Sequence, residues 1–254
     1  MEDRPGSCPA LQPVPARTPL VLEFTIGTPY LVRRLTKGET DEAFPVALVG
    51  PQSHRRVDLV LSGQVENFII VFEPGGFSAL FSMPAAEIAN QDVDASAALG
   101  RELTHIRQRL GDAGTFADRA QVLDSFLGAR LAKAAPPSAI VSAARKLHDR
   151  DGRASVVDLA AAADLSVRQF ERRFQSEMGL PPKLYARIVR FEGALRLKTT
   201  RPRMPWTEIA HTLGYFDQMH MVHDFNRLSG GSPSLVFDQL ELFAIPELET
   251  SADD

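Results

Sequence analysis

Between Leu20 and Glu73 the apolar residues fall in short runs rich in β-branched and aromatic side chains: VLEFTI, YLVRRL, VALVG, VDLVLSG and NFIIVFEP. Gly, Pro, Asp and Asn separate these runs. Each is predicted as a strand, and together they predict a small antiparallel sheet or partial barrel. Pro74-Gly75-Gly76 ends this pattern, and the period then changes. Phe77, Leu80 and Phe81 suit a short helix that Met83-Pro84 breaks. Leu99, Leu103, Ile106 and Leu110 lie four, three and four apart, which is one face of an amphipathic helix. After Gly111 and Gly114, Phe116, Ala120, Leu123, Leu127 and Leu131 mark a second helix, and the two form a hairpin. Its apolar stripe either packs on the sheet of its own domain or forms a dimer face, and the spacing serves both.

Ala134-Ala135-Pro136-Pro137 interrupts the helical pattern and predicts a stiff linker over 134–138. Residues 139–148 (AIVSAARKLH) and 155–163 (SVVDLAAAA) then read as two helices. Ser155 is placed to cap the second, with Asp158 at its third position. Asp164-Leu165 makes a turn, and Ser166 caps a third helix, VRQFERRFQSEM, stopped by Gly179. Phe170 and Phe174 share its buried face. Arg168, Gln169, Glu171, Arg172 and Gln175 point away. The pattern occurs twice: Thr207 is the expected cap of TEIAHTLG, Asp217 caps QMHMVHDFNRL, and Met221 and Phe225 occupy the positions of the earlier Phe pair. Gln218, Met219, His220 and His223 form the outward face of this last helix. Between the repeats, PKLYARIVRFEGALRLK predicts a linking helix about 25 Å long.

Composition and charge refine this picture. The chain has 254 residues, 44% hydrophobic and 24% charged, which suits two globular domains. Its net charge of −4 argues against a nucleic-acid partner only as an average. Residues 138–240 hold 15 basic and 11 acidic side chains, a balance of +4, while residues 1–137 carry −3 and residues 241–254 carry −5. The positive charge lies where phosphate contact needs it. Cys8 is the only cysteine, so no intramolecular disulfide or cysteine-based zinc site is expected. No apolar run reaches the length of a membrane span, and the first nineteen residues, with five prolines, lack the apolar core of a signal peptide. They are expected to be irregular, and the chain to be cytoplasmic.

The stretch IAHTLGYFDQMHMVHDFNRLSGGSP, residues 209–233, resembles the signature region of AraC/XylS transcription regulators, and LAAAADLSVRQFERRFQSEMGLPPKLY, residues 159–185, resembles the first repeat of their DNA-binding domain. Met221 stands where an aromatic is common, and Pro181-Pro182 where Ser-Pro is usual, which bears on how the linking helix is capped. The resemblance implies that both recognition helices, about 167–178 and 218–228, enter successive major-groove segments of double-stranded DNA. Arg168, Gln169, Glu171 and Arg172 would then serve one half-site and Gln218, Met219, His220 and His223 the other. The stretch from Leu48 to Val93 resembles, more weakly, a sensor domain seen on some relatives. That likeness implies an effector, a partner or a homodimer.

The expected fold class is α+β: a small antiparallel β domain with a helical hairpin at 20–133, a linker at 134–138, an all-α domain of two helix-turn-helix units at 138–240, and an acidic tail at 241–254. No cofactor, metal or catalytic group is expected. His220 and His223 lack a third ligand beside them, since Asp224 points elsewhere on the helix. His54 and Asp58 have no serine nucleophile in a suitable context. Trp206 is expected to anchor the second repeat as a hydrophobic staple, and the Arg33-Arg34 and Arg55-Arg56 pairs to be strand-edge or loop charges. The competing function is a ligand-binding or interaction protein with a vestigial DNA module.

Overall fold

The computed structural model describes residues 9–241. Cys8 and the acidic tail beyond Glu241 lie outside the described residues. Eight strands form two four-stranded antiparallel sheets. One has the order β1-β6-β3-β4, built from Ala10–Val14, Val57–Leu61, Leu31–Arg34 and Thr40–Glu42. The other has the order β7-β2-β5-β8, built from Asn67–Phe72, Leu20–Thr25, Val46–Val49 and Asp92–Asp94.

The five strands read from the apolar runs are all present. Three others had no such signal. β1 lies inside the proline-rich start expected to be irregular, and pairs with β6 from Ala10↔Leu61 to Val14↔Val57. Its Pro13 is tolerated because β1 is an edge strand. β4 and β8 are three-residue strands with two acidic residues each, too short and too polar to show a period. β8 also comes after Pro74-Gly75-Gly76, so that break ends the run of strands but not the sheet.

The central strand β2 is buried along its whole length. Strand alternation sends Leu20, Leu22 and Phe24 to one side, where they join Val46, Leu48 and Phe72 under the helices. Val21, Glu23 and Thr25 face the other way. Those helices are α1 (Gly76–Phe81), a 3-10 turn at Ala85–Ile88, α2 (Ala95–Leu99), α3 (Glu102–Asp112) and α4 (Phe116–Leu131). The expected single helix from Leu99 to Leu110 is split: Gly100, at φ 126°, closes α2, and α3 then buries Leu103, Ile106 and Leu110. In α4 the buried residues are Leu123 and Phe126, while Phe116 and Leu131 are exposed. The hairpin stripe therefore packs on its own sheet, using Phe126 where the spacing had pointed to Phe116 and Leu131.

The helical half follows as α5 (Ala139–Asp149), α6 (Val156–Ala162), α7 (Val167–Met178), α8 (Pro182–Thr200), α9 (Trp206–Thr212), α10 (Gln218–Ser229) and α11 (Pro233–Glu241). One continuous core runs from Ile140 to Val236. It also takes in Ala16, from the segment between β1 and β2. The two halves thus share buried surface, and the Pro-rich segment before α5 is not their only connection.

Candidate nucleic-acid interface

Each repeat is built by local chemistry. Ser155 caps α6 by accepting from the Asp158 amide. The turn into α7 passes through Asp164 at φ 53°, a left-handed conformation that Asp tolerates better than a branched residue does. Ser166 then forms a capping box with Gln169: the serine Oγ accepts from the Gln169 amide, and Gln169 Oε1 accepts from the Ser166 amide at 3.1 Å. Phe170, Phe174 and Met178 face inward, with Phe174 edge-on to Tyr185 of α8 at 5.2 Å between ring centroids. In the second repeat Asp217 Oδ1 accepts from the His220 amide at 2.7 Å. Met221, Phe225 and Leu228 are buried.

The start of α9 differs from expectation. Its N-cap is Pro205, and Thr207 lies inside the first turn without capping it. Pro205 fixes φ near −63°, and Trp206 becomes the first helical residue, so the hydroxyl of Thr207 arrives two positions late. Trp206 packs away from its own helix, edge-on to Phe225 of α10 and Phe237 of α11, with Lys198 Nζ over its ring. It anchors the repeat across helices, and no staple along α9 is formed.

The linking helix α8 ties the repeats into one body. Pro181 takes its N-cap with no side-chain cap, and Pro182 sits at the first helical position, where the missing N–H costs nothing. Arg187 reaches forward to Asp224, which is 2% exposed, with Nη2 and Nε donating to Oδ1 at 2.5 and 3.1 Å. Arg190 reaches back to the Gly152 carbonyl at 3.2 Å. At Gly193 an added Cβ would sit 3.2 Å from Asp151 Oδ1 and 3.6 Å from Leu213, the residue that caps the end of α9, so both repeats close on the helix there. Asp224 therefore points into the protein because it is the buried partner of Arg187, a role that spacing along α10 could not reveal.

What remains outside is a face of mostly polar side chains on α7 and α10. Arg168, Gln169 and Arg172 are exposed and Glu171 is half-buried. Neither Arg168 nor Arg172 has an ion-pair or hydrogen-bond partner among the described residues. Gln169 Oε1 is taken by the cap, leaving its amide N–H groups free to donate. Gln218, Met219, His220 and His223 are all exposed, with the His220 ring edge-on to Tyr215. Two residues missed by the sequence reading join this surface: Arg173 beside Arg172, and Phe216, 92% exposed at the entry to α10. Phe216 follows Tyr215, which is buried, so two adjacent aromatics divide between core and surface. Among the described residues no group of three or more His, Cys, Asp or Glu is placed to hold a metal ion, and no helix is long and apolar enough to cross a membrane.

The remaining expected charges are structural. Asp58 is fully buried and accepts from Arg33 at 2.6 Å and Arg55 at 2.8 Å; Arg34 binds Asp92 at 2.8 and 2.9 Å. Arg55 and Arg56 lie in the loop before β6, as expected of loop charges, while Arg33 and Arg34 lie within β3, an inner strand of its sheet, where an edge had been the alternative. His54 bonds its neighbour Ser53 and makes no catalytic grouping with Asp58.

The β half also grips the helical half. The segment between β1 and β2 runs over α8 and α10: the Ala16 amide donates to the Leu228 carbonyl at 2.8 Å, and Thr18 donates from its amide and its hydroxyl to the Glu192 carboxylate at 2.9 and 3.0 Å. The Arg55 amide shares the same Leu228 carbonyl at 3.0 Å. Burial raises the Glu192 pKa above the ordinary carboxylate range, against the pull of the Thr18 bonds and of Arg17. The 3-10 turn at Ala85–Ile88 packs on α7, where a Cβ on Gly179 would sit 3.0 Å from the Ala85 carbonyl oxygen.

Two helix-turn-helix units on one linking helix, behind a β domain that touches both, define the class: a DNA-binding transcription regulator. Residues 159–239 match the family described as a helix-turn-helix domain, and residues 24–94 match a domain of unknown function, DUF6597. The chain thus carries an AraC-type helix-turn-helix domain together with a DUF6597 domain. A comparison with curated proteins gives no match. Among solved structures the chain is similar to ToxT from Vibrio cholerae O395, with 12% identity over 92% of this chain and 95% of that one at a TM-score of 0.53. It is similar to the same protein bound to (E)-4-(8-methylnaphthalen-1-yl)but-3-enoic acid, at 12% identity, 92% and 96% coverage and a TM-score of 0.54. Likeness to the DNA-binding domain of AdpA in complex with a target DNA covers 42% of this chain and 97% of that one, at 27% identity and a TM-score of 0.38. The ToxT likeness places the two halves in one known fold, an N-terminal β domain and a C-terminal helix-turn-helix domain.

Proposed function

We propose that this regulator reads double-stranded DNA sequence-specifically, with α7 and α10 in successive major-groove segments and the β half controlling the helical half. Arg168, Gln169, Glu171 and Arg172 address one segment; Gln218, Met219, His220 and His223 address the other. The observation that carries this reading is the exposed guanidinium groups of Arg168 and Arg172 on α7, which have no partner among the described residues. A free arginine on a rigid, capped helix can bond guanine O6 and N7 together. The linking helix supports the spacing: nineteen residues make a rod of about 28 Å, close to the ~34 Å turn of the duplex. The functional division falls at 134–138, as the sequence suggests, and the site of action is the cytoplasm.

The β half acts as the regulatory part because it bonds to α8 and α10 and packs on α7. ToxT binds an organic acid, and the likeness in fold supports an effector here; a homodimer is the other form of control this reading includes. No catalytic step is part of it. The test is a gel-shift screen of genomic fragments with the full chain, beginning with the fragment beside its own coding region. A salt-sensitive shift that survives nonspecific competitor is expected. No such shift on any fragment overturns the reading in favour of an interaction protein with a vestigial DNA module.

A further inference from the structure

The two helix-turn-helix units are built alike, and one position tells them apart. The residue before a helix cap and the fourth residue of the helix often pack together as an apolar staple. In the first unit that pair is Leu165 and Phe170. Leu165 packs against the core and Phe170 is fully buried. In the second unit the pair is Phe216 and Met221. Met221 is fully buried, but Phe216 is 92% exposed, so no staple forms.

Tyr215, one residue earlier, takes over the anchoring. It is buried, its amide donates to the Ala210 carbonyl at 2.9 Å, and the Arg190 guanidinium lies over its ring at 5.2 Å. On the other side, Asp217 Oδ1 accepts from the His220 amide at 2.7 Å. Phe216 is thus held between an anchored aromatic and a helix cap. Its backbone is fixed while its ring stands in water, which forgoes the stabilisation that burial gives.

Met219, three positions further on, is 59% exposed. The leading end of α10 therefore carries two large apolar side chains, and the leading end of a recognition helix is the part that meets base edges. Gln218 between them is also exposed. From Phe216 to His223 no exposed position holds lysine or arginine. The first unit differs: counted from the caps, Arg168 has the place of Met219, and Arg172 that of His223.

The two recognition helices therefore suit different base pairs. A guanidinium bonds guanine O6 and N7. An apolar side chain in the major groove meets the 5-methyl group of thymine, and a glutamine amide bonds N6 and N7 of adenine. A T·A pair offers both of the latter. We propose that α10 reads a T·A-rich segment of the operator, with Phe216 and Met219 against the 5-methyl groups of thymines there. This rests on the DNA-binding reading above. Phe216 stands ahead of the helix and Met219 in its first turn, so they address different base pairs, and Gln218 serves an adenine. The two half-sites then differ in composition, one chosen by arginine and the other by methyl contact.

The experiment lets the full chain select its site from a pool of random duplexes. Two enriched segments about one helical turn apart are expected. The segment whose preference Arg168→Ala leaves unchanged belongs to α10, and it is expected to be T·A-rich. A G·C-rich segment there overturns the proposal. Each of its thymines is next replaced by uracil, which removes the methyl group and keeps every hydrogen-bonding atom. A loss of about 4-fold in affinity, the share of one buried methyl group, is expected at two or more positions. No loss at any position overturns the proposal. Phe216→Ala and Met219→Ala are each expected to bind the thymine and uracil forms equally at one sensitive position and to keep the parent's discrimination at the other. Both side chains are exposed, so both variants are expected to keep the parent's Tm. If both keep full discrimination at every position, the proposal falls, whether their affinity is unchanged or uniformly weaker. Unchanged affinity and discrimination in Phe216→Ala alone strikes its ring from the assignment and gives it to a protein partner. If the pool yields no enriched sequence, the DNA-binding reading itself falls. An enriched site that is insensitive to methyl removal leaves that reading standing and overturns only this one.

Discussion

The two exposed arginines of α7 and the buried Arg187 show how one residue type serves opposite ends. Arg168 and Arg172 have no partner among the described residues, so their donors are available to bases. Replacing either with Ala is expected to cost about 1–3 kcal/mol on a cognate site and to relax preference at one base pair, read by gel shifts on a base-substituted operator series. Equal weakening on all sequences, with a shallower salt dependence, would mean phosphate contact. Arg187 is partnered, and its pair is asymmetric: Asp224 is buried while Arg187 is about one-third exposed. Arg187→Ala leaves an uncompensated buried carboxylate and is expected to cost roughly 3 kcal/mol in urea unfolding. Asp224→Asn is expected to cost less, because the arginine it frees can turn to water. The exposed side of this contrast was legible in sequence, since apolar spacing separates the two faces of a helix. The buried ion pair was not, because Arg187 and Asp224 are thirty-seven positions apart and meet only once α8 and α10 pack.

Capping decides where each recognition helix begins, and therefore which side chains lead into the groove. Four polar caps, Ser138, Ser155, Ser166 and Asp217, accept from the amide of the third residue of the helix that follows. Ser166→Ala removes half of a reciprocal box and is expected to cost about 1 kcal/mol. It is also expected to weaken DNA binding by fraying the turn that carries Arg168, checked by circular dichroism together with gel shifts. Such caps are local and readable from a few residues. The exception, α9, shows the limit: Thr207 has the right chemistry, but Pro205-Trp206 moves the helix start ahead of it. Likewise α4 buries Phe126 rather than Leu131, because the sheet it lies on, and not the helix period alone, decides which turn is covered.

At the scale of the molecule the β half and the helical half are joined by the segment between β1 and β2, by the 3-10 turn and by a buried carboxylate. Glu192 lies in that joint, and burial raises its pKa, so the folded chain keeps this proton to higher pH than the unfolded chain. Stability from this group is fully present below the ordinary value of 4.5 and is lost as pH rises through the raised one. Glu192→Gln keeps an acceptor for Thr18 and removes that dependence. Its stability relative to the parent is expected to grow from pH 4.5 toward neutrality, measured by urea unfolding at several pH values. A constant difference would show that the carboxylate ionises freely in the folded chain. The two recognition helices are likewise expected to protect half-sites about one helical turn apart, ~10 base pairs centre to centre, in a footprinting experiment. Protection of a single groove segment would mean that the second helix does not engage.

The sequence by itself determined most of the double helix-turn-helix half: its helices up to α10, its turns, three of the caps and the outward faces of α7 and α10, but not α11. All of these depend on period and on short-range hydrogen bonding, which a few neighbouring residues specify. It also determined five of the eight strands. Only the tertiary structure decided that these form two sheets, that polar three-residue strands complete the sheets, and that a proline-rich start becomes a strand and a joint to the helical half. Glu23, a lone charge in the run VLEFTI, was the one local sign of a polar interior. Its partner Asn67, like Thr18 for Glu192, comes from a distant part of the chain. Pairing across such distances is set by which surfaces close on one another, and no local pattern encodes that.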